Sequence, residues 1–286
     1  MSDRVKRFLT SLPLHLVVIA IAIVWLVPTL GLLISSFRPP QAIRSTGWWT
    51  VFGDFFAESQ WALVNYEEVL TTQGLAQAFR NSLFVTLPGT LLPIAVAASA
   101  AFALAWMEFR GRQTVFITII VLLVVPLQVT FIPVFRMFSR LGLAGTFLAI
   151  WLAHTGYGLP FAIYLLRNFF GSLPRDLFES VYLDGASQWQ AFTMLALPLS
   201  VPSLAALAIF QFLWVWNDLL VALIYLGGTP RVAPLAVAVA NLVNSLGAEW
   251  YLLPSAAFIT MILPLIVFLS LQRYFVRGIL AGSVKG

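Results

Sequence analysis

Six apolar runs, near residues 14–36, 82–107, 114–135, 146–166, 201–226 and 254–272, decide what this chain can fold into. Each has the length, roughly 20 residues as helix, that crosses about 30 Å of hydrocarbon with every backbone group paired inside the segment. Asp218 is the one charged residue within them. With 60% hydrophobic and 9% charged residues, the sequence predicts an all-α, polytopic membrane protein of six transmembrane helices. The first run follows Arg4, Lys6 and Arg7 as a secretory signal would, but it exceeds a signal core of about 7–15 residues and is expected to be retained. A borderline seventh candidate, 232–248, is diluted by Asn241, Asn244, Ser245 and Gly247 and reads as a partly inserted external loop.

Orientation follows from the basic residues. With the amino terminus inside, ten Lys and Arg lie in cytoplasmic segments (Arg4, Lys6, Arg7, Arg110, Arg112, Arg167, Arg175, Arg273, Arg277, Lys285) against six outside. The bias predicts both termini in the cytoplasm. It also accounts for the net charge of +5 together with anionic lipid, so no nucleic-acid partner is expected. One transmembrane domain over 1–286, with a cytoplasmic loop at 169–200, is the simplest organisation.

Catalytic chemistry finds little foothold. The absence of cysteine excludes thiol nucleophiles, disulfides and thiolate metal sites. His15 and His154 fall in different runs, and each reads as a satisfied or cavity-facing histidine. No paired carboxylates, metal-ligand cluster or nucleophile and base stand at a usable spacing, so neither catalytic residues nor a metal site are predicted.

Outside the membrane, 37–80 carries Trp48, Trp49, Phe52, Phe55, Phe56 and Trp61, which fit an aromatic belt at the bilayer surface or a surface stacking on sugar rings. Pro88 and Pro93 in the second run, and Pro126 and Pro133 in the third, should each kink a helix by removing a backbone donor. Such kinks serve either a translocation pathway or packing alone. Asp218, beside Trp216 and Asn217, admits three roles: lining a path for substrate, pairing structurally with an arginine or a helix end, or coupling to protons.

Between the fourth and fifth runs lies a polar stretch, Glu179 to Pro198. Ser172 could cap a short helix that begins near Pro174, with Asp176 and Glu179 toward its positive end and Asp184-Gly185 as its stop. Leu177, Phe178, Val181 and Tyr182 share one face of it. A second short helix, about Ser187 to Leu195, would run until Leu197-Pro198 turns the chain back toward the membrane. Two short helices at an angle form a rigid knob, suited either to a partner's groove or to the lipid headgroups.

The spacing of this stretch is specific. Glu179, then Gly185 after five residues, then Leu195-Ala196-Leu197-Pro198 after nine more, resembles the EAA loop of ABC-importer permeases, with Ser180 and Val181 in place of two alanines. Further similarity to maltose-type (MalG-like) sugar permeases covers nearly the whole chain: NYEEVL, Asn81-Ser82, PLQVTFIPVF, GLAGTFLAI, PRDLFESVYLDGAS, WND and QRYFVRGILAGSVKG. STGWWTVF at 45–52 resembles the alpha-glucoside branch.

This resemblance implies a MetI-like, type I ABC importer fold in a bacterial inner membrane. It implies a sugar substrate, a second homologous permease, two copies of an ATPase that bind ATP and Mg, and an external sugar-binding protein. By the same resemblance Glu179, Asp184, Gly185, Ala186, Leu197 and Pro198 would couple to the ATPase, and Gly282, Lys285 and Gly286 would reach it through the tail. A nucleotide-cradling loop needs an internal lysine, and the two lysines here are Lys6 and Lys285, so no cofactor is expected on this chain. The competing reading is an ion- or proton-coupled secondary transporter built on Asp218.

Overall fold

The structure is a computed structural model that describes residues 3–243 and 249–283, with side chains over 12–243 and 249–273. The described residues form helices, 3-10 turns and connecting loops, and they pack as two compact units.

The first unit comprises residues 1–75 and 239–259. Its helix α1 (Asp3–Ser36) leads into α2 (Pro40–Ser45), a 3-10 turn at Trp48–Gly53, and α3 (Val64–Leu70). Arg38, 2% exposed, organises this segment from within. Its guanidinium donates to the Gly47 carbonyl (2.9 Å) and the Thr46 hydroxyl (2.7 Å), and its own carbonyl accepts from Asn65 (2.7 Å). Trp48 lies so close to α1 that a Cβ on Gly31 would sit 2.7 Å from its indole nitrogen. Trp49, Phe52, Phe55 and Phe56 continue outward in edge and stacked contacts and remain exposed.

The second unit holds residues 76–238 and 260–286. Its helices are α4 (Leu75–Trp106), α5 (Arg112–Leu122), α6 (Leu127–Arg140), α7 (Phe147–Gly171) and α8 (Arg175–Leu183). A helical stretch follows, made of α9 (Gln188–Gln190), a π-helical turn (Ala191–Ala196) and α10 (Leu197–Leu199). Then come α11 (Val201–Trp216) and α12 (Leu220–Tyr225), while α13 (Leu235–Leu242) and α14 (Leu253–Ser283) each belong partly to this unit and partly to the first. Among the described residues four helices are long and apolar enough to cross a membrane, or six if each of two bent pairs is one span.

Two of the six expected spans are not single helices. The third breaks between α5 and α6, which meet at 102° around Pro126. Proline there lacks a donor and restricts the residue before it, whereas Pro133 is carried inside α6. The fifth ends as helix at Trp216 and resumes at Leu220, because Asn217 and Asp218 leave the helical path. Residues 244–248 of the 232–248 stretch, with Asn244, Ser245 and Gly247, lie outside the described residues, and its described part contributes the eight-residue α13. Asn81 donates to the carbonyls of Arg231 (3.1 Å) and Ala233 (3.0 Å), and Ser82 accepts from the Leu235 amide (2.7 Å), which fixes where that helix begins.

Helix α4 runs unbroken through Pro88 and Pro93, so the question is what satisfies the carbonyls those prolines orphan four residues earlier. The Trp151 indole donates to the Phe84 carbonyl (2.9 Å), and the Gln211 amide donates to that of Gly89 (3.1 Å). The same device recurs in α14, where Pro264 frees the Thr260 carbonyl and the Trp216 indole takes it at 2.9 Å. Each donor comes from another helix, so each proline becomes a point of attachment. Gly158 makes room for one of them, since a Cβ there would meet the Gln211 amide at 2.7 Å.

Candidate functional site

The polar stretch after α7 folds as two caps facing each other. Helix α8 ends in a Schellman motif: the Gly185 amide donates to Tyr182 (3.0 Å) and the Ala186 amide to Val181 (3.1 Å). That geometry requires the left-handed backbone of Gly185, φ 82°, with open space where a side chain would stand. Two residues on, Ser187 and Gln190 form a capping box that starts α9. The sequence placed this stop at Asp184-Gly185, as found, but put the cap at the start of α8 elsewhere. Ser172 closes α7 by donating to the Phe169 carbonyl (2.7 Å), and Pro174 stands at the start of α8 with no side-chain cap. The second helix also runs on through the π turn, and the 75° turn falls at Ser200, two residues beyond Pro198.

Helix α8 is anchored from beneath. Phe178, 1% exposed, stacks on Trp106 with ring centroids 3.7 Å apart at 22°, and Phe102, Phe170 and Phe192 complete an aromatic cluster around it. Val181 and Tyr182 are half-buried on the same side. Leu177, expected on that apolar face, is 40% exposed because it lies on its flank. Burial pushes the Tyr182 hydroxyl above the ordinary phenol range, so it stays neutral and donates to Gln188 (2.7 Å). Outward lie Glu179, Asp184, Gly185 and Pro198, all exposed, with Ala186 and Leu197 half-buried. Between α8 and the end of α4 is a polar cup of about 270 Å³ lined by Glu108, Arg112, Arg175, Glu179 and Tyr182.

The tail residues stand apart from this description. Lys285 and Gly286 lie outside the described residues, and Gly282 falls in the last turn of α14, beyond the residues whose side chains are described.

The break in the fifth span gathers the other candidates. Asp218 accepts from the amides of Val221 (3.3 Å) and Ala222 (2.9 Å), so its carboxylate holds the start of α12. That contact is with a helix end, one of the three roles open to it. Asn217 is exposed and donates to the Leu213 carbonyl (2.8 Å), while Trp216, 3% exposed, is turned to Thr260 and stacks on Phe212. His154, fully buried, brings its Nε2 to 3.8 Å from Asp218 Oδ2, and its ring meets Trp214 edge-on. That pairing escaped sequence reasoning because 64 residues separate the two, and no local spacing announces it.

A cavity of about 760 Å³ opens beside the bend between α5 and α6. Its walls are apolar except at Thr130 and Tyr157, whose hydroxyls lie 3.0 Å apart, with the Tyr225 hydroxyl 2.6 Å beyond Tyr157.

Apolar helices broken at polar points, together with a capped, exposed loop between two of them, define a polytopic, all-helical membrane protein. The chain belongs to the family of binding-protein-dependent transport system inner membrane components, whose pattern matches residues 94–280. It is 58% identical over 284 residues to the osmoprotective compounds uptake permease protein GgtD of Synechocystis, covering 99% of this chain and 95% of that one. It is 52% identical over 232 residues to the alpha-glucoside transport system permease protein AglG of Rhizobium meliloti, covering 79% and 61%. Among solved structures, a bacterial ABC transporter involved in the import of alginate shares the fold, with a TM-score of 0.78, 22% identity and coverage of 96% and 99%.

Proposed function

We propose that this chain is one of two membrane subunits of an ATP-driven importer for a neutral, hydroxyl-rich solute of the α-glucoside class. The relatives that carry this reading are the alpha-glucoside permease AglG and the osmoprotectant permease GgtD. A second homologous permease would complete the pathway, and an external sugar-binding protein would deliver the solute. A solved structure at TM-score 0.59 pairs this fold with an alginate pentasaccharide-bound periplasmic protein, which supports such delivery. Two ATPase copies would bind ATP and Mg and supply the work.

One observation carries the coupling role: α8 presents Glu179 outward while Phe178, one residue away, is buried in the aromatic cluster. A helix held from beneath and capped at its carboxyl end by a glycine is a stiff lever on which a partner can push. Glu179, Asp184, Gly185, Ala186, Leu197 and Pro198 would form the surface facing the ATPase, with Gly282, Lys285 and Gly286 a second point of attachment. Both termini would lie in the cytoplasm of a bacterial inner membrane.

The test is uptake in proteoliposomes holding the complete complex. Labelled α-linked disaccharide should enter only with ATP and binding protein, and β-linked disaccharide should enter far more slowly. Uptake by this chain alone, driven by an ion gradient, would overturn the reading and favour a secondary transporter using Asp218.

A further inference from the structure

The three ends that meet under α8 belong to different parts of the chain. Helix α4 finishes at Trp106, α7 finishes at Gly171, and α8 begins at Arg175. Through the chain itself α8 is tied to α7 by the three residues 172–174 and to α9 by residues 184–187, but not to α4. Its tie to α4 is made by side chains across 72 residues of sequence, with Trp106 the α4 ring stacked on Phe178. The Trp106 ring lies flat against Phe178 at 3.7 Å, while its N–H donates to the Phe170 carbonyl at 3.0 Å. That carbonyl belongs to the last turn of α7 and also accepts from the Leu173 amide (3.2 Å), so the indole grips α7 where the connection to α8 starts. One turn earlier on α4, Phe102 touches Phe170, Phe178 and Phe192. A displacement of α8 that left α4 behind would have to open this stack and expose Phe178.

We infer that Trp106 is a positioning residue that locks α8 to the end of the second span, so that the two move as one body when the ATPase drives α8. This rests on the reading of α8 as the docking helix. A flat ring contact resists sliding and tilting together, and the indole hydrogen bond fixes the ring's rotation. Leucine at the same place would fill apolar space but supply neither restraint. Rigid locking matters because α4 carries the Trp151 and Gln211 attachments at its two prolines. Motion delivered to its end therefore reaches α7 and α11 through those bonds.

The test uses the complete complex in proteoliposomes. Trp106→Leu should keep binding-protein-stimulated ATP hydrolysis while solute imported per ATP falls about tenfold. Trp106→Phe, which keeps a stacking ring, should recover most of that ratio. A normal ratio in Trp106→Leu overturns the inference, as does equal loss of hydrolysis and import in both variants. A second measurement is independent of how the leucine variant folds. Because the chain lacks cysteine, spin labels placed through Met107→Cys and Leu177→Cys, both exposed sites, report the separation of α4 and α8 directly. That separation should stay constant as nucleotide binds and is hydrolysed, and a change overturns the lock. Crosslinking from Glu179→Cys to the ATPase tests the docking reading separately. Absent crosslinks with a constant separation would refute docking and leave the lock standing.

Discussion

The stretch between α7 and α9 and the break at residues 217–219 are alike in sequence, each a small group of polar residues amid apolar helices, yet their side chains have opposite fates. In the first, Glu179, Asp184 and Gly185 are exposed, and the structure is held by apolar contact beneath them. In the second, Trp216 is buried against Thr260, Asp218 is spent on two backbone amides of its own chain, and even the exposed Asn217 is tied to the Leu213 carbonyl. Polarity marks where the backbone leaves the helix in both. Whether a polar side chain then serves a partner or its own fold depends on which groups nearby lack a hydrogen-bond partner.

Substitutions should separate the two regions by what they damage. The largest loss is expected at the anchor: Phe178→Ala should destabilise the permease by about 3–5 kcal/mol, seen as a lower Tm in detergent, because the hole it leaves lies under a capped helix. An unchanged Tm would mean that α8 is not held by that ring. Gly185→Ala forces a side chain into a left-handed backbone at a cost of about 1–2 kcal/mol, and it should lower both Tm and ATP-driven uptake.

At the break, Asp218→Ala should cost about 0.5–2 kcal/mol through loss of the α12 cap. If Asp218→Ala instead abolished uptake at unchanged Tm, the residue would belong with the functional surface and the contrast would fail. A double-mutant cycle probes the proline attachments. Trp151→Phe alone should cost about 0.6–1.7 kcal/mol, but much less in a Pro88→Ala background, where residue 88 regains the amide that satisfies the Phe84 carbonyl. Additive effects would show that the indole bond is incidental. The smallest effect on stability, within about 0.5 kcal/mol, is expected for Glu179→Gln, which should nonetheless reduce ATP-driven uptake.

Much of this was readable from the chain because spans are set by length and apolarity, quantities a sequence states directly. Gly185 was readable for a similar reason: a glycine after an amphipathic turn and a half has one common use. The bend around Pro126 was announced by its proline but hidden by its surroundings, since an apolar count over 114–135 records how many residues are buried and not which way they run. Pro88 and Pro93 marked the lost donors of α4 in advance, whereas Pro264 of α14 was not singled out. The replacement donors, Trp151, Gln211 and Trp216, were not legible, because each arrives from 44 to 122 residues away. Trp106, and the approach of His154 to Asp218, were missed on the same ground, as ordinary residues given neighbours that sequence order does not place beside them; His154, expected to be satisfied or to face a cavity, is buried with no hydrogen bond to either ring nitrogen.

The π-helical turn at Ala191–Ala196 gives the polar stretch an adjustable phase. A π turn holds one residue more than an α turn over nearly the same arc, so it stores a spare residue without rotating the helices on either side. Ala191, Phe192 and Ala196 all reach the core because that spare residue is absorbed between them. Deleting one residue within the turn should therefore return it to ordinary helix with α8 and α11 keeping their faces. The same deletion in α8 ahead of Phe178 would turn the rest of that helix by about 100° relative to α7, carrying Glu179 with it.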